Sequence, residues 1–375
     1  MNGLGERARK SLDRPVAKAA RKAKPAPVAA VVEAQSFSAA DRVTQVTIDA
    51  EEAGQRLDNY LFRRAKGVPK SHIYRIVRGG EVRVNGKRVE AACRLETGDV
   101  LRIPPMRVAD RTSDDAARVA AGKREKQVAL HIVHEDDALL VVDKPAGVAV
   151  HGGSGISFGV IEQLRAQRPE AKFLELVHRL DRDTSGLLMV AKKRSALVRL
   201  HEDLREGRVR KRYLAGVVGP WSEARRQVKL PLVKFNLADG ERRVRVTEKD
   251  DPNGMTAHTV FHLVERFSAS SAPPCSEFAL LDVELKTGRT HQIRVHLAHL
   301  GRPILGDEKY GDFALNRRLT RAHPDGAPRV ALRRMFLHAA SLEIVDPQTG
   351  ETRAFAAPLP AELRGFLDGL RPPKP

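Results

Sequence analysis

At 375 residues the chain is too long for one ordinary hydrophobic core and long enough for two domains. Lysine and arginine outnumber aspartate and glutamate by 66 to 47, and the formal charge of +19 favours a polyanionic partner, nucleic acid first. Only two cysteines and no long apolar run are present, which argues against a disulfide framework, a thiolate metal site and a membrane span.

The first segment, residues 1–44, is rich in lysine, arginine, alanine and proline and nearly lacks aromatic residues. This composition predicts a disordered basic tail. Its stretch from Arg7 to Lys24 is compatible with RNA contact, but such a tail more often adds only solubility and nonspecific affinity. The segment lacks the apolar core of a secretory signal, so we expect a cytoplasmic protein.

A compact module is predicted at residues 45–106. A helical pattern starts at Arg56, and Ser71 is predicted to cap a second helix. Two consecutive glycines, Gly79 and Gly80, should end that helix. The module should therefore begin with a pair of short helices.

A hairpin and a basic surface are predicted in the second half of this module. Asn85-Gly86 lies between short apolar stretches and is the strongest short signal for a hairpin turn. Between Arg56 and Arg88 there are ten basic residues and two acidic ones, a density that favours phosphate binding over a merely solvated charged face. The residues assigned to RNA here are Lys70, Arg75, Arg78, Arg83, Lys87 and Arg88.

This module resembles an S4 RNA-binding domain. The similarity covers all of it and is carried by three runs. They are Val68-Pro69-Lys70-Ser71, Ile73-Tyr74-Arg75-Ile76 and Gly80-Glu81-Val82-Arg83-Val84-Asn85-Gly86-Lys87-Arg88.

A second, larger domain is predicted at residues 128–375, after a flexible linker at 107–127 that lacks apolar periodicity. Its apolar segments are mostly short, β-rich and bounded by turns, with helical stretches such as Ser195 to Glu206 between them. The fold class expected is α+β, with a large mixed or antiparallel sheet. The predicted strands include 138–142, 187–191, 214–218, 278–285 and 336–344.

A dense charge cluster lies in the segment from His178 to Gly186. Two arginines and two carboxylates fall between Arg179 and Asp183, and an apolar run predicted as a buried strand follows from Leu187. Opposed charges at this density are costly to bury unpaired, so they usually lie on a functional surface. The rigid strand would hold their geometry for chemistry.

Three further segments of this domain concentrate charge and glycine. The run 143–147 reads as a strand-exit turn, and Tyr213 opens another strand, where it could stack on a base or belong to the core. The run 287–296 carries several histidines, but their spacing does not match a zinc site, and Ser185 does not occupy a nucleophile elbow. The sequence predicts no metal and no cofactor.

A carboxylate among arginines, in a chain suited to RNA, points to chemistry at a nucleotide. A carboxylate can attack a sugar carbon, or remove a proton near it, when a glycosidic bond breaks. An arginine partner would stabilise its negative charge.

The second domain closely resembles the RluA family of pseudouridine synthases, from about residue 130 to 360. The segment from His178 to Leu187 fits the family signature, and four further motifs occur in family order. They are Lys144-Pro145-x-Gly147, Lys211-x-Tyr213, Gly288-Arg289-Thr290-His291-Gln292-Ile293-Arg294 and Phe336-Leu337-His338-Ala339. The resemblance implies a redox-neutral isomerisation of uridine to pseudouridine without a cofactor.

The resemblance also implies three catalytic residues. Asp181 matches the catalytic aspartate, and Arg294 matches the arginine that pairs with it. Tyr213 matches the active-site tyrosine that packs on the target base. Attack of the aspartate at C1′ and removal of the 2′ proton both remain open.

Further roles follow from the same resemblance. Arg179 matches the arginine that enters the helix where the uridine leaves, and Asp183 is expected to be a local hydrogen-bond or ion-pair partner. Lys144, Arg289 and His291 are expected to bind RNA or to support the site.

Within the family, the S4 module and the segments 182–186 and 191–197 look most like the RluC branch. This likeness implies uridines of bacterial large-subunit (23S) rRNA. We expect the enzyme to be a monomer. A different rRNA helix or a tRNA is the alternative substrate. A noncatalytic RNA-binding factor of ribosome assembly and a glycosidic hydrolase are the alternatives from other classes.

Overall fold

The computed structural model describes residues 42–50, 52–65, 68–106, 128–152, 158–238, 240–268, 277–320 and 331–371. The predicted linker and all but the last three residues of the predicted tail lie outside these ranges. Across the described ranges, no helix combines the length and apolar character needed to cross a membrane.

The N-terminal module pairs two helices with a four-stranded antiparallel sheet of order β1-β4-β2-β3. Both helices place buried apolar residues three and four positions apart and pack them into one hydrophobic cluster. The elements are β1 (Thr44–Thr47), α1 (Leu57–Arg64), α2 (Lys70–Arg78), β2 (Arg83–Val84), β3 (Lys87–Arg88) and β4 (Val100–Ile103).

The local signals of this module are mostly confirmed. Asn85 and Gly86 join β2 to β3 with φ of 50° and 76°, and two positive φ values in succession are what a tight type I′ hairpin turn requires. Gly79 caps the end of α2 as predicted. The prediction that Ser71 caps this helix is wrong, because α2 begins at Lys70 after Pro69, whose fixed φ suits a helix start.

The larger domain is built around a ten-stranded sheet. The elements of its first half are β5 (His131–Glu135), β6 (Leu139–Lys144), α3 (Val160–Gln167), β7 (Glu175–Leu176), β8 (Ser185–Ala191), α4 (Arg194–Arg205) and β9 (Arg210–Val218). Those of its second half are β10 (Arg225–Val228), β11 (Leu232–Asn236), β12 (Arg242–Val246), β13 (Thr259–Ser268), β14 (Glu277–Leu285), α5 (Gln292–His299), α6 (Phe313–Leu319), β15 (Leu337–Val345), β16 (Thr352–Ala356) and α7 (Ala361–Leu370).

The main path of this sheet runs β10-β13-β14-β9-β15-β8-β6-β5, with β7 paired to β8 and β16 to β15, while β11 and β12 form a separate hairpin. All its pairings are antiparallel except β8 with β15, so the predicted α+β fold with a large mixed sheet is confirmed. Strand β8 is buried along its whole length, with alternate side chains in two hydrophobic clusters. Burial on both faces explains its unbroken apolar sequence.

The parallel contact between β8 and β15 depends on Gly186. Its φ is +108°, and a Cβ placed there would lie 2.3 Å from the carbonyl oxygen of Ala339 on β15. Only glycine allows the two backbones to approach this closely. The glycine that closes the charge cluster therefore fixes the strand at whose end the cluster lies.

Replacing Gly186 by alanine is expected to lower the free energy of unfolding by more than about 3 kcal/mol, because backbone strain and overpacking add. Urea denaturation would measure this loss. Gly207→Ala is the matched control: its φ is also positive, at +72°, but no atom lies within 4 Å of the added Cβ. That variant should lose only about 1 kcal/mol, and equal losses in the two proteins would contradict the steric argument.

Candidate active site

A cavity of about 460 Å³ opens where the turn before β8, strand β9 and the start of α5 meet. Among the residues that the structure describes, Asp181 is the one acidic residue in its lining. Basic side chains dominate the rest of the wall, so the cavity suits an anionic ligand. They are Arg179, Arg205, Lys211, Lys286, Arg289 and Arg294.

A tight turn places Asp181 just before the start of β8. The Thr184 amide donates to the Asp181 carbonyl at 3.2 Å, and Thr184 and Ser185 are buried. The Ser185 hydroxyl accepts a hydrogen bond from Arg334 at 2.8 Å and lies 2.9 Å from Nδ1 of His338 on β15. The sheet therefore anchors the residues that follow Asp181 and leaves its carboxylate at the cavity.

Arg294 links Asp181 to a second, buried carboxylate. Its Nη1 donates to Oδ2 of Asp181 at 2.9 Å, the pairing that the sequence predicted. Its Nε and Nη2 donate to the two oxygens of Asp307, both at 2.7 Å. Burial alone would lower the pKa of Arg294, but the bonds and charge of Asp307 and then Asp181 outweigh it and raise the pKa. The guanidinium is thus held charged and in one orientation.

Asp307 is the functional residue that sequence reasoning missed. Its side chain is fully buried, and Oδ1 also accepts the backbone amides of Lys309 at 2.8 Å and Tyr310 at 3.0 Å. Burial would raise its pKa, but Arg294 and these amides keep the pKa below its usual value. The available signal was a carboxylate within the glycine-bounded run from Gly306 to Gly311.

His291 approaches the other oxygen of Asp181. It directly precedes α5 and adopts the left-handed conformation, with φ of 54°, which is unusual outside glycine. Its Nδ1 lies 2.8 Å from the Tyr310 hydroxyl, which accepts the Val244 amide at 3.0 Å, and its Nε2 lies 3.8 Å from Oδ1 of Asp181. Burial lowers its pKa. These contacts favour a neutral ring with its proton on Nε2, facing the carboxylate.

Tyr213 forms part of the cavity wall on β9 and is 6% exposed. Burial, with a smaller contribution from the charge of Asp181, raises the pKa of its phenol well above the usual value. The phenol hydroxyl therefore keeps its proton at neutral pH, and the ring presents a flat, largely apolar surface beside Asp181.

Lys144 does not fit its expected role in RNA binding. The side chain is fully buried, and Nζ donates to the carbonyl oxygens of Pro145, Val148 and Arg182 at 2.8, 2.9 and 3.0 Å. Burial lowers its pKa to about 7. These three bonds tie the loop after β6 to the turn that carries Asp181, so Lys144 supports this turn. Its ammonium is buried and is not available for the expected contact with RNA.

The other predicted residues lie at the rim of the cavity, in the turn that follows Asp181 and on the N-terminal module. Arg179 and Arg289 are exposed at the rim of the cavity, where the Arg289 Nε donates to the Thr256 carbonyl at 3.1 Å. In the part of the chain that the structure describes, the Asp183 carboxylate has no hydrogen-bond or ion-pair partner, although its carbonyl accepts from Arg334 at 3.4 Å. The six basic residues of the N-terminal module are all exposed, on α2 and the β2–β3 hairpin, and none lines the cavity.

Within the described ranges, no group of three or more histidine, cysteine, aspartate or glutamate side chains is placed to hold a metal ion.

Comparison with known proteins assigns the chain to a family. Residues 138–299 match the family model for RNA pseudouridylate synthase, and residues 55–101 match that of the S4 domain. The chain is 51% identical to ribosomal large subunit pseudouridine synthase C of Escherichia coli (strain K12), over 87% of this chain and 96% of that protein. It is 48% identical to the proteins of that name from Pasteurella multocida and Haemophilus influenzae, over 88% of this chain. The chain belongs to the RNA pseudouridylate synthase family and is a pseudouridine synthase with an S4 domain.

Asp307→Asn is expected to lower the free energy of unfolding at neutral pH by about 3–5 kcal/mol, because it removes one partner of a buried ion pair. The folded-state pKa of Asp307 is depressed, so the carboxylate contributes stability above its unfolded pKa, near 3.8, and loses it as the pH falls through the lower folded value. The difference from wild type should therefore shrink below about pH 4.

Urea denaturation at neutral and acid pH would measure this difference. Asp282→Asn is the control, since Asp282 pairs with the exposed Arg212 at the surface and should contribute less than about 1 kcal/mol. A loss for Asp307→Asn no larger than that of the control would refute the anchoring role of Asp307.

Proposed function

We propose that this enzyme converts specific uridines of bacterial large-subunit (23S) rRNA into pseudouridine, acting as a monomer in the cytoplasm. The observation that carries the proposal is the Asp181 carboxylate, held by Arg294 in a cavity otherwise lined with cations. Support for the substrate comes from relatives of 48–51% identity whose names refer to the ribosomal large subunit.

The target uridine must leave its stack to reach Asp181. Extruding a nucleotide costs a few kcal/mol, which contacts to phosphate can offset. Arg179 and Arg289 are exposed at the rim and can supply such contacts. In this proposal Arg179 also enters the position that the base vacates.

The bonds of the uridine are then rearranged in the space between Asp181 and Tyr213. Arg294 binds Oδ2 of Asp181, so Oδ1 is the oxygen available to the ribose, either to attack C1′ or to remove the 2′ proton. The bond between N1 and C1′ breaks, and the base turns against the Tyr213 ring. C5 then bonds to C1′ as Asp181 leaves C1′ or returns the proton to C2′. C5 loses its proton and N1 gains one, so the reaction consumes no cofactor.

Asp181→Asn is expected to lower pseudouridine formation at least about 1,000-fold and to leave RNA affinity nearly unchanged, because the amide cannot serve as base or nucleophile. Total RNA from a strain lacking the gene would be incubated with each protein, and pseudouridine mapped by carbodiimide primer extension. Asp183→Asn is the matched control from the same turn and should keep most of the activity.

Different outcomes of this experiment test different parts of the proposal. Primer-extension stops in 23S rRNA treated with the wild-type protein would support it. Stops found only in tRNA or in small-subunit rRNA would show that the substrate is that RNA instead. Binding without any new pseudouridine would instead indicate a noncatalytic RNA-binding factor.

The exposed basic residues of the S4 module are assigned to the RNA backbone in this proposal. Replacing Arg75, Arg83 and Lys87 together by glutamine is expected to reduce the slope of log affinity against log salt by about 2–3, because each phosphate contact contributes about 0.7–0.9. Filter binding over a salt series would measure the slope. The rate at saturating RNA should not change, and an unaltered slope would remove these residues from the RNA-binding surface.

A further inference from the structure

Lys211 lies in the cavity wall without a partner among the described residues. It is partly buried, and burial lowers its pKa, with no charged neighbour contributing appreciably. Its neighbours on β9 differ, because Arg210 pairs with Glu343 at 3.1 Å and Arg212 donates to Asp282 at 2.9 Å. A desolvated ammonium without a carboxylate is costly, which suggests that a ligand completes its surroundings.

Within the described ranges, the cavity lining offers Lys211 no free carboxylate. Asp181 is the one acidic residue of that described lining, and Arg294 already binds it. Room for a ligand exists beside the ammonium, because a Cβ at Gly288 would lie 3.5 Å from Nζ and glycine leaves that space open.

The depth of Lys211 in the cavity indicates which part of a nucleotide it meets. Arg179 and Arg289 are exposed at the rim, where the solvated RNA backbone passes. Lys211 lies deeper and precedes Tyr213 by two positions on β9, so both side chains point to the same face of the sheet. A base that packs against the Tyr213 ring therefore lies within reach of the lysine.

We propose that Lys211 binds a carbonyl oxygen of the flipped uracil and stabilises the negative charge that the base acquires when its glycosidic bond breaks. The proposal rests on the proposed function, since it requires a uridine in this cavity. It makes Lys211 a catalytic residue that acts by its charge, beside Asp181 and Tyr213.

The electron balance explains why a cation is useful at this position. When N1 and C1′ separate, the bonding pair remains on uracil, which becomes an anion with charge spread over N1, O2 and O4. C1′ is compensated by a bond to Asp181 or by loss of the 2′ proton. Lys211 keeps its protons throughout. When C5 bonds to C1′, the bond between C1′ and Asp181 breaks, or Asp181 returns the proton to C2′. The anion disappears as C5 then loses its proton and N1 takes one up.

Lys211→Met keeps an unbranched side chain, one atom shorter than that of lysine, and removes its charge. We expect its single-turnover rate at saturating RNA to fall about 100-fold, the usual effect of deleting one donor to a developing anion. The dissociation constant should change little, and Lys211→Arg should recover part of the rate. Arg210→Met, the exposed neighbour on the same strand, is the matched control and should react like wild type.

A leaving-group test separates this role from a structural one. RNA with 5-fluorouridine at the target position gives a more stable base anion, so the defect of Lys211→Met in glycosidic bond cleavage should shrink. A purely structural lysine would give the same defect with both substrates, which would overturn the proposal.

Two further outcomes are decisive. A raised dissociation constant with a normal single-turnover rate would show that Lys211 binds RNA without catalytic effect. Wild type that forms no pseudouridine would refute the proposed function itself, whereas active wild type with an equally active Lys211→Met refutes only the role of this lysine. If the methionine variant fails to fold, Lys211→Arg serves in its place. A rate below that of wild type with uridine, which recovers with 5-fluorouridine, would still support the role. The same deficit relative to wild type with both substrates would refute it.

Discussion

Arg294 is shared by two carboxylates, Asp181 at the cavity and Asp307 beneath it, and the active site depends on this sharing. Taking three charges out of water costs several kcal/mol for each ion, and the geometry must be nearly ideal to offset it. Asp307 supplies that geometry, because two backbone amides fix one of its oxygens. The arginine is thereby fixed before any RNA arrives, and it leaves one oxygen of Asp181 available for reaction.

A second set of contacts holds the turn that presents Asp181. Lys144 joins three carbonyl groups of two loops, and one of these belongs to Arg182, next to Asp181. The same carbonyl accepts the Gly147 amide at 2.9 Å, while the Arg182 Nε returns a hydrogen bond to the Gly147 carbonyl at 3.1 Å. The carboxylate is therefore oriented from the arginine side and from the backbone side, which is the preorganisation that catalysis at one sugar carbon needs.

Much of this arrangement could be predicted from the sequence. The unbroken apolar run after Gly186 marked β8, and motif resemblance paired Asp181 with Arg294 across the chain. The burial of Lys144 was not predictable, because a lysine next to a proline and a glycine looks like a surface turn until a second loop covers it. Asp307 was missed for a similar reason, since its partner is defined by the fold and no spacing rule connects the two. Local signals can fail too, as at Ser71, where Pro69 sets the start of the helix.

Strand β15 lies between β8 and β9 in the sheet, although it follows both by more than a hundred residues. Asp181 belongs to one side of β15, and Tyr213 and Arg294 belong to the other. Among the described strands, backbone pairing joins the two sides of the sheet only through β15, so their registry awaits a late part of the chain. During translation, the S4 module is complete long before the catalytic centre can close. A chain terminated before β15 would therefore retain the module, whose strands and hydrophobic cluster lie within residues 44–106, and lose the site that joins distant segments.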